Sequence, residues 1–429
     1  MLHLNIQNKH KKEFLWTISG QIFSVIASLL SIKLITSYLN PEQYGELMLV
    51  LTIAMLLNQI ITGGFTSSFN RYYSIAVEDG CLHFFLKAAI DLSLKAIGAS
   101  LILGLLAIST IYYLNYDKWI LSIILVCVYS CVNFLNSSIN SIQNAARKRN
   151  IVAFNQIIEG SARILILILI LSNDNNINGI IAGYCFATII TILIQSVYTK
   201  IIYTKGVSDN KAVILWKNRL KKYAMPFTIW GIFTAAYQMS DKWALEFFSS
   251  TSDVGYYGVL YQLGYAPISL VTGLAVSYLG PIIFERFGGG GDGHRKNHAN
   301  QMGWNLTMLA IALTVLGFIF SFIFYDLIFK IFVSEKYATV AHLLPWLIMA
   351  GGLYSAGQVI GLNILSNLRP HMMLRPKIIL SILGVCLNLI GAKINGVVGL
   401  IWAINIFSIF YLLWMIYIAN ILNNDLKKL

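Results

Sequence analysis

Apolar stretches recur almost without pause from Phe14 to Leu422, each closed by a short polar turn. A helix needs about 20 apolar residues to cross a bilayer. On that pattern spans are expected near 14–37, 44–70, 84–112, 119–142, 152–172, 178–198, 224–248, 254–283, 302–325, 340–366, 378–392 and 397–421. Turn chemistry separates them: Asn40-Pro41 between the first two, Asn173-Asp174-Asn175-Asn176 between the fifth and sixth, Asn395-Gly396 before the last. The runs are continuous rather than alternating, which excludes a membrane β-barrel. Three lysines (Lys9, Lys11 and Lys12) precede the first run, which is too long for a signal peptide and has no small-residue cleavage site, so it reads as a retained span. The fold class expected is an all-α polytopic membrane protein of about twelve helices. A basic, polar segment near 199–222 divides it into lobes of 1–206 and 207–429.

Composition agrees with this pattern. Of 429 residues, 57% are hydrophobic and 11% charged, and mean hydropathy is +0.69. A soluble chain carries roughly a quarter charged residues. The net charge of +13 gains meaning by position, because basic residues collect on the cytoplasmic side. Lys118, Lys330, Lys336 and Lys393 fall on one side, and Lys33, Lys95, Arg163 and Lys242 within spans. All the rest of the 31 Lys and Arg lie on the side of the N-terminus. Both termini are therefore expected in the cytoplasm, as an even number of spans requires. The basic run Lys217-Asn218-Arg219-Leu220-Lys221-Lys222 reads as membrane-surface charge attracting anionic lipid, not as a nucleic-acid site. Cys81, Cys127, Cys131, Cys185 and Cys386 lie in or beside apolar runs without metal-ligand spacing and read as small apolar fillers.

The two halves resemble each other. The turn Tyr38-Leu39-Asn40-Pro41-Glu42-Gln43-Tyr44-Gly45 aligns with Phe248-Ser249-Ser250-Thr251-Ser252-Asp253-Val254-Gly255, 210 residues on. Asn178-Gly179-Ile180-Ile181 aligns with Asn395-Gly396-Val397-Val398, 217 residues on. Both pairs open an even-numbered span in the same orientation. Six spans per half make the halves parallel, related by an axis along the membrane normal, a plan suited to transport by alternating access.

Leu39-Asn40-Pro41-Glu42-Gln43-Tyr44-Gly45, followed by an apolar helix, resembles the opening of polysaccharide-export flippases of the Wzx type. Asp241-Lys242 with Ser252-Asp253-Val254-Gly255-Tyr256-Tyr257 is similar to the start of their second half, and Gly396-Val397-Val398-Gly399-Leu400 with Ala403 to their close. The resemblance implies the fold of multidrug and lipid-precursor exporters, with a cavity lined mainly by helices 1, 2, 7 and 8. It also implies substrates that are oligosaccharides on polyprenyl diphosphate, as for O-antigen or capsule in an inner membrane, and other polysaccharide assembly proteins as partners.

Ionisable side chains in mid-bilayer cost about 2.5–3.5 kcal/mol on insertion scales and are functional candidates by default. Lys95 follows Asp91, and Arg163 follows Glu159, by one turn, the favoured order for a helical ion pair. Each pair serves either as self-neutralised packing or as a substrate contact. Lys33 and Lys242 lie near the outer ends of helices 1 and 7, where a lysine can snorkel to the interface. The resemblance instead places these two in the cavity. Arg71, at the inner end of helix 2, is either a topology anchor or a contact for an arriving diphosphate. Gln21, Asn58, Gln59, Gln238 and Gln262 could bond sugar hydroxyls or neighbouring helices. Tyr261 and Tyr265 share a face and suit sugar stacking, while Tyr256 and Tyr257 also fit an interfacial belt. Pro267 should kink helix 8.

Some signals are set aside. Gly288-Gly289-Gly290-Gly291-Asp292-Gly293-His294 lacks the ending of a phosphate loop and reads as a loop, so His294 and His298 need not share a helix face. With no nucleotide motif and no large outside loop, the expectation is a transporter rather than an enzyme such as a sugar polymerase, without cofactor. Asp91, Glu159, Asp241 and Glu246 could carry protons or sodium to drive its cycle, and nothing in the sequence selects among them. The rival of the same fold is a multidrug cation antiporter, which wants a membrane carboxylate in its cavity. Helix 1 instead offers Lys33 and no acid after Glu13.

Overall fold

A computed structural model describes residues 2–113, 117–173, 176–199, 209–269, 272–273, 293–366 and 371–427. Every regular element among them is helical: α1 (Leu2–Tyr38), α2 (Pro41–Glu78), α3 (Leu82–Tyr113), α4 (Ile120–Ala145), α5 (Arg149–Asn173), α6 (Ile177–Thr199), α7 (Asn210–Phe248), α8 (Thr251–Leu260), α9 (Gly293–Phe332), α10 (Leu344–Ser366) and α11 (His371–Lys427). Eight described stretches are long and apolar enough to cross a membrane, nine if a bent pair within α2 counts as one. One of them, Pro376–Ile421, has 46 residues, about twice what one crossing needs. Its backbone reverses at Asn395 and at Gly396 (φ 47°, ψ −130°). Beyond the turn Gly391 and Gly399 face each other so closely that a β-carbon on either would strike the other's carbonyl oxygen. The two arms of α11 thus run antiparallel, as the expected spans 378–392 and 397–421 require.

The repeat is visible in the helix caps. At α2 Asn40 Oδ1 accepts from the Gln43 amide (2.8 Å) and Gln43 Oε1 accepts from the Asn40 amide (3.1 Å). This is a reciprocal capping box, with Pro41 in the first helical position. At α8 the equivalent residue, Ser250, accepts from the Asp253 amide (3.1 Å). The two starts also pack on each other. A β-carbon on Gly45 would meet the Thr251 carbonyl, and one on Gly255 would meet the Pro41 carbonyl. The contact is reciprocal under the 210-residue offset, as a two-fold relation demands.

Two expectations are corrected. The segment 199–222 was expected to be a polar connection, yet it is helical from Asn210 and forms the first third of α7. Val213, Trp216 and Leu220 are buried there against Phe69, Phe85 and Leu92 of α2 and α3. The loop expected around His294 is helical from Gly293. The glycine run at 288–291 and the far part of the span expected at 254–283 lie outside the described residues. Directly after α8 the bend expected at Pro267 takes the form of a π-helical turn, Tyr261–Tyr265. A proline has no amide hydrogen and crowds the carbonyl four residues back, here that of Leu263, and a wider turn relieves both.

The chain divides into two compact units, Met1–Tyr38 with Leu49–Ala235, and Leu39–Met48 with Ala236–Leu429. The first turns of α2 therefore belong to the second unit and the first two-thirds of α7 to the first. In the first unit α1 lies along α5, where Gly20 meets Ala153 and Gly160 meets Ala27. In the second, Tyr237, Ile360, Leu380, Phe407, Tyr411 and Met415 form the core. Leu309, Leu313, Leu316, Phe320 and Ile323 of α9 are exposed, the face a lipid-facing helix presents.

Candidate substrate site

Among the described residues of the second unit, α7 carries a buried pair of opposite charges. Asp241 and Lys242 are both buried, with 4% and 7% exposure. Neighbouring helical positions diverge by about 100°, yet the Lys242 ammonium turns back to lie 3.2 Å from both Asp241 oxygens. Tyr257 of α8 donates its hydroxyl hydrogen to Asp241 Oδ2 (2.7 Å). The ammonium also lies 4.5 Å from the centre of the Tyr261 ring and 5.4 Å from that of Tyr257. Two charges out of water are costly unless every hydrogen-bonding position is met. The tyrosine hydroxyl and two aromatic faces supply what water would have given.

Aromatic rings continue from this centre. Tyr261 stacks on Tyr265 at 5.0 Å and 14°. Tyr265 leans on Tyr354 of α10 (6.0 Å), and Tyr354 on Tyr411 of α11 (4.7 Å). Ser240 accepts from Asn388 of α11 (2.9 Å). The cluster therefore combines an ion pair, hydroxyls and amides with aromatic rings. Tyr261 and Tyr354 are half-buried, whereas Tyr265 and Tyr257 are buried. Tyr257 thus belongs to the charged centre and not to an interfacial belt.

A second polar centre lies in the first unit. Arg163 meets Glu159 one turn back at 3.1 Å, as its spacing predicted. Asn136 of α4 donates to the other Glu159 oxygen (3.0 Å), and the guanidinium covers the Tyr184 ring of α6 at 4.8 Å. Gln195 of α6 donates to Asn136 and Asn140. Asp91, by contrast, does not take Lys95 as its partner. Lys217 of α7 reaches it at 2.5 Å, and Lys95 is exposed.

The other candidates are more dispersed. Lys33 is half-buried on α1, Asn58 half-buried on α2, and Arg71 exposed further along α2. Gln238 and Gln262 are half-buried in the second unit, where Gln262 reaches Met48 Sδ at 3.5 Å. Lys33, Asn58, Arg71, Lys95, Asp91, Glu159 and Arg163 belong to the first unit. Gln238, Asp241, Lys242, Tyr261, Gln262 and Tyr265 belong to the second. The residues not anticipated are Tyr257 as the partner of Asp241, Lys217 as that of Asp91, and the amides Asn136, Asn140 and Gln195. Only the amides left a local trace, since Asn136 and Asn140 are spaced one turn apart. Among the described residues no three His, Cys, Asp or Glu side chains gather as they would around a metal ion.

A multi-pass membrane protein, helical in all its described elements, with repeated halves and a buried ion pair is the class that fold and site define. The chain belongs to the polysaccharide biosynthesis protein family, whose model matches residues 10–287. No curated protein sequence matches it. Among solved structures it is similar to a mutant of the Vibrio cholerae MATE transporter VcmN, with a TM-score of 0.70 and 12% identity over 98% of each chain. It is also similar to the lipid II flippase MurJ in an inward closed conformation, with a TM-score of 0.65 and 16% identity over 94% of this chain and 87% of that one. An inward-facing multidrug resistance MATE transporter of the MOP superfamily gives 0.61 and 14%, over 96% and 99%. At such identities the likeness is one of fold.

Proposed function

We propose that this protein is a flippase that carries polyprenyl-diphosphate-linked oligosaccharide from the cytoplasmic to the outer leaflet of an inner membrane by alternating access. The family and the fold support transport of a lipid-linked sugar. The observation that carries the finer reading is Lys242, an ammonium kept in an apolar interior by Asp241 and two tyrosine faces. In such surroundings a cation attracts a diphosphate far more strongly than in water. Asp241 holds that cation while no substrate is present, and the incoming phosphate exchanges for it. The half-buried hydroxyl-bearing Tyr261 and Tyr354 and the half-buried amides Gln238 and Gln262 suit the hydroxyls of a glycan, and the prenyl chain stays in lipid.

The antiporter alternative needs a membrane carboxylate available to a cation. Asp241, Glu159 and Asp91 each have a Lys or Arg within 3.2 Å, which weighs against a cation at these three. Glu246, which accepts from the Thr251 hydroxyl (3.0 Å), has no such cation among the described residues and is the carboxylate on which the alternative would have to rest. The test is gene deletion followed by external glycosidase treatment of intact cells. Deletion should leave a protected, cytoplasm-facing lipid-linked saccharide. Wild type should clear it, Lys242→Gln should not, and Lys242→Arg should clear it in part. Normal lipid intermediates and intact surface glycan, in a strain without a redundant flippase, would overturn the reading.

A further inference from the structure

The first third of α7 sorts its basic residues in a way that an unspecific membrane anchor does not require. Val213, Trp216, Leu220 and Ala224 are buried, so this stretch is seated firmly on α2 and α3. Trp216 meets Phe85 edge-on at 5.7 Å. Tyr72 of α2 meets both Trp216 (6.1 Å) and Tyr223 (5.6 Å) edge-on. Lys217 is turned inward to Asp91 at 2.5 Å. Arg219, Lys221 and Lys222 are exposed, and the Arg219 guanidinium lies over the Trp216 ring at 5.3 Å.

Arg71 joins them from α2. It is exposed and directly precedes Tyr72, whose ring meets those of Trp216 and Tyr223. The backbone approach that fixes this pairing is close: a β-carbon on Gly64 of α2 would strike the Ala224 carbonyl of α7. Two guanidinium groups on separate helices thus border one set of three aromatic rings. Among the described residues no carboxylate pairs with Arg71, Arg219 or Lys222. Ile214, Leu215 and Met225, at 55%, 51% and 66% exposure, put apolar surface on the same stretch of helix.

We propose that Arg71 and Arg219 form a loading site for the diphosphate group of a prenyl diphosphate at the membrane surface. This rests on the flippase reading and on the charge distribution that places this end of α2 and α7 in the cytoplasm. Each guanidinium offers a planar fork that fits one phosphate. Two such forks offer a partner to each of two linked phosphates, whereas a phosphodiester with one charge engages one of them. The exposed apolar side chains are where the first isoprene units would lie.

The test uses the full-length protein in nanodiscs, with farnesyl diphosphate, farnesyl monophosphate and phosphatidylglycerol as probes. Wild type should bind the diphosphate at least tenfold more tightly than the monophosphate, and excess phosphatidylglycerol should displace little of it. The double variant Arg71→Gln/Arg219→Gln should lose that margin while keeping the wild-type thermal transition, since both side chains are exposed. Equal diphosphate affinity in wild type and double variant overturns the site. Equal affinity for both farnesyl probes, or ready displacement by phosphatidylglycerol, overturns it in favour of a surface for anionic lipid. Wild type that binds no prenyl diphosphate at all, with Lys242 intact, fails the flippase reading itself.

Discussion

At the scale of single residues, the energetics turn on which charges are paired. Removing one partner of a buried ion pair costs about 3–5 kcal/mol, because the other is left uncompensated. Asp241→Asn should therefore lower the stability of the purified protein by about that amount in thermal unfolding, whereas Asp241→Asn/Lys242→Met should recover most of it. Export should be lost in both. Recovery of export by the double variant would show that Lys242 is structural ballast. Tyr257→Phe removes one hydrogen bond to a carboxylate, about 1.5–3 kcal/mol by the usual range for charged partners. Its mark should appear as lower thermal stability with partly retained export. The sequence exposed Asp241, Lys242, Glu159 and Arg163 because charges are scarce in apolar runs. It could not expose Tyr257 or Lys217, which reach their partners across 16 and 126 residues of chain.

At the scale of elements, the spans were legible because each crossing needs a long apolar run, and the capping turns because Asn40, Gln43 and Ser250 have distinctive chemistry. The first third of α7 was not legible as helix. Its basic residues hide a stripe of only Val213, Trp216 and Leu220, and the stripe has meaning only against Phe69 and Phe85 of other helices. Nor does a sequence distinguish a kink from a π turn at Pro267, since both answer the same missing donor. Two predictions belong here. Asn40→Ala should cost about 1 kcal/mol through loss of the α2 cap, read as a lower unfolding temperature. Pro267→Ala allows α8 to return to regular α-helical hydrogen bonding, turning Tyr261 away from Lys242. It should leave stability unchanged or raised while slowing export, and unchanged export would remove the π turn from the mechanism.

At the scale of the whole molecule, the paired acids bear on what drives the cycle. A sodium ion at Asp241, Glu159 or Asp91 would have to displace a lysine or arginine already in place. Flipping in proteoliposomes is therefore expected to persist when choline replaces sodium. A diphosphate-linked cargo, as proposed, would carry negative charge outward, and an electrical potential contributes about 2.3 kcal/mol per charge per 100 mV. A potassium–valinomycin potential, negative on the side where the substrate starts, should accelerate flipping. Strict dependence on sodium, with no response to potential, would return the carboxylates to a coupling role.

The crossing of Gly45 and Gly255 carries a historical consequence. Residues that touch their own equivalents under a two-fold rotation form an isologous contact, the kind that joins identical subunits. If the two halves descend from one duplicated gene, the product of the unduplicated gene met a second copy of itself at this glycine. One mutation then altered both faces of the contact at once. Fusion broke that tie, and each glycine now changes alone. Gly45→Ala and Gly255→Ala should each destabilise the protein through overpacking, by about 1–3 kcal/mol. Because both insert a methyl at the same crossing, the double variant should cost less than the two together. Full additivity would mean that the crossing is no longer shared.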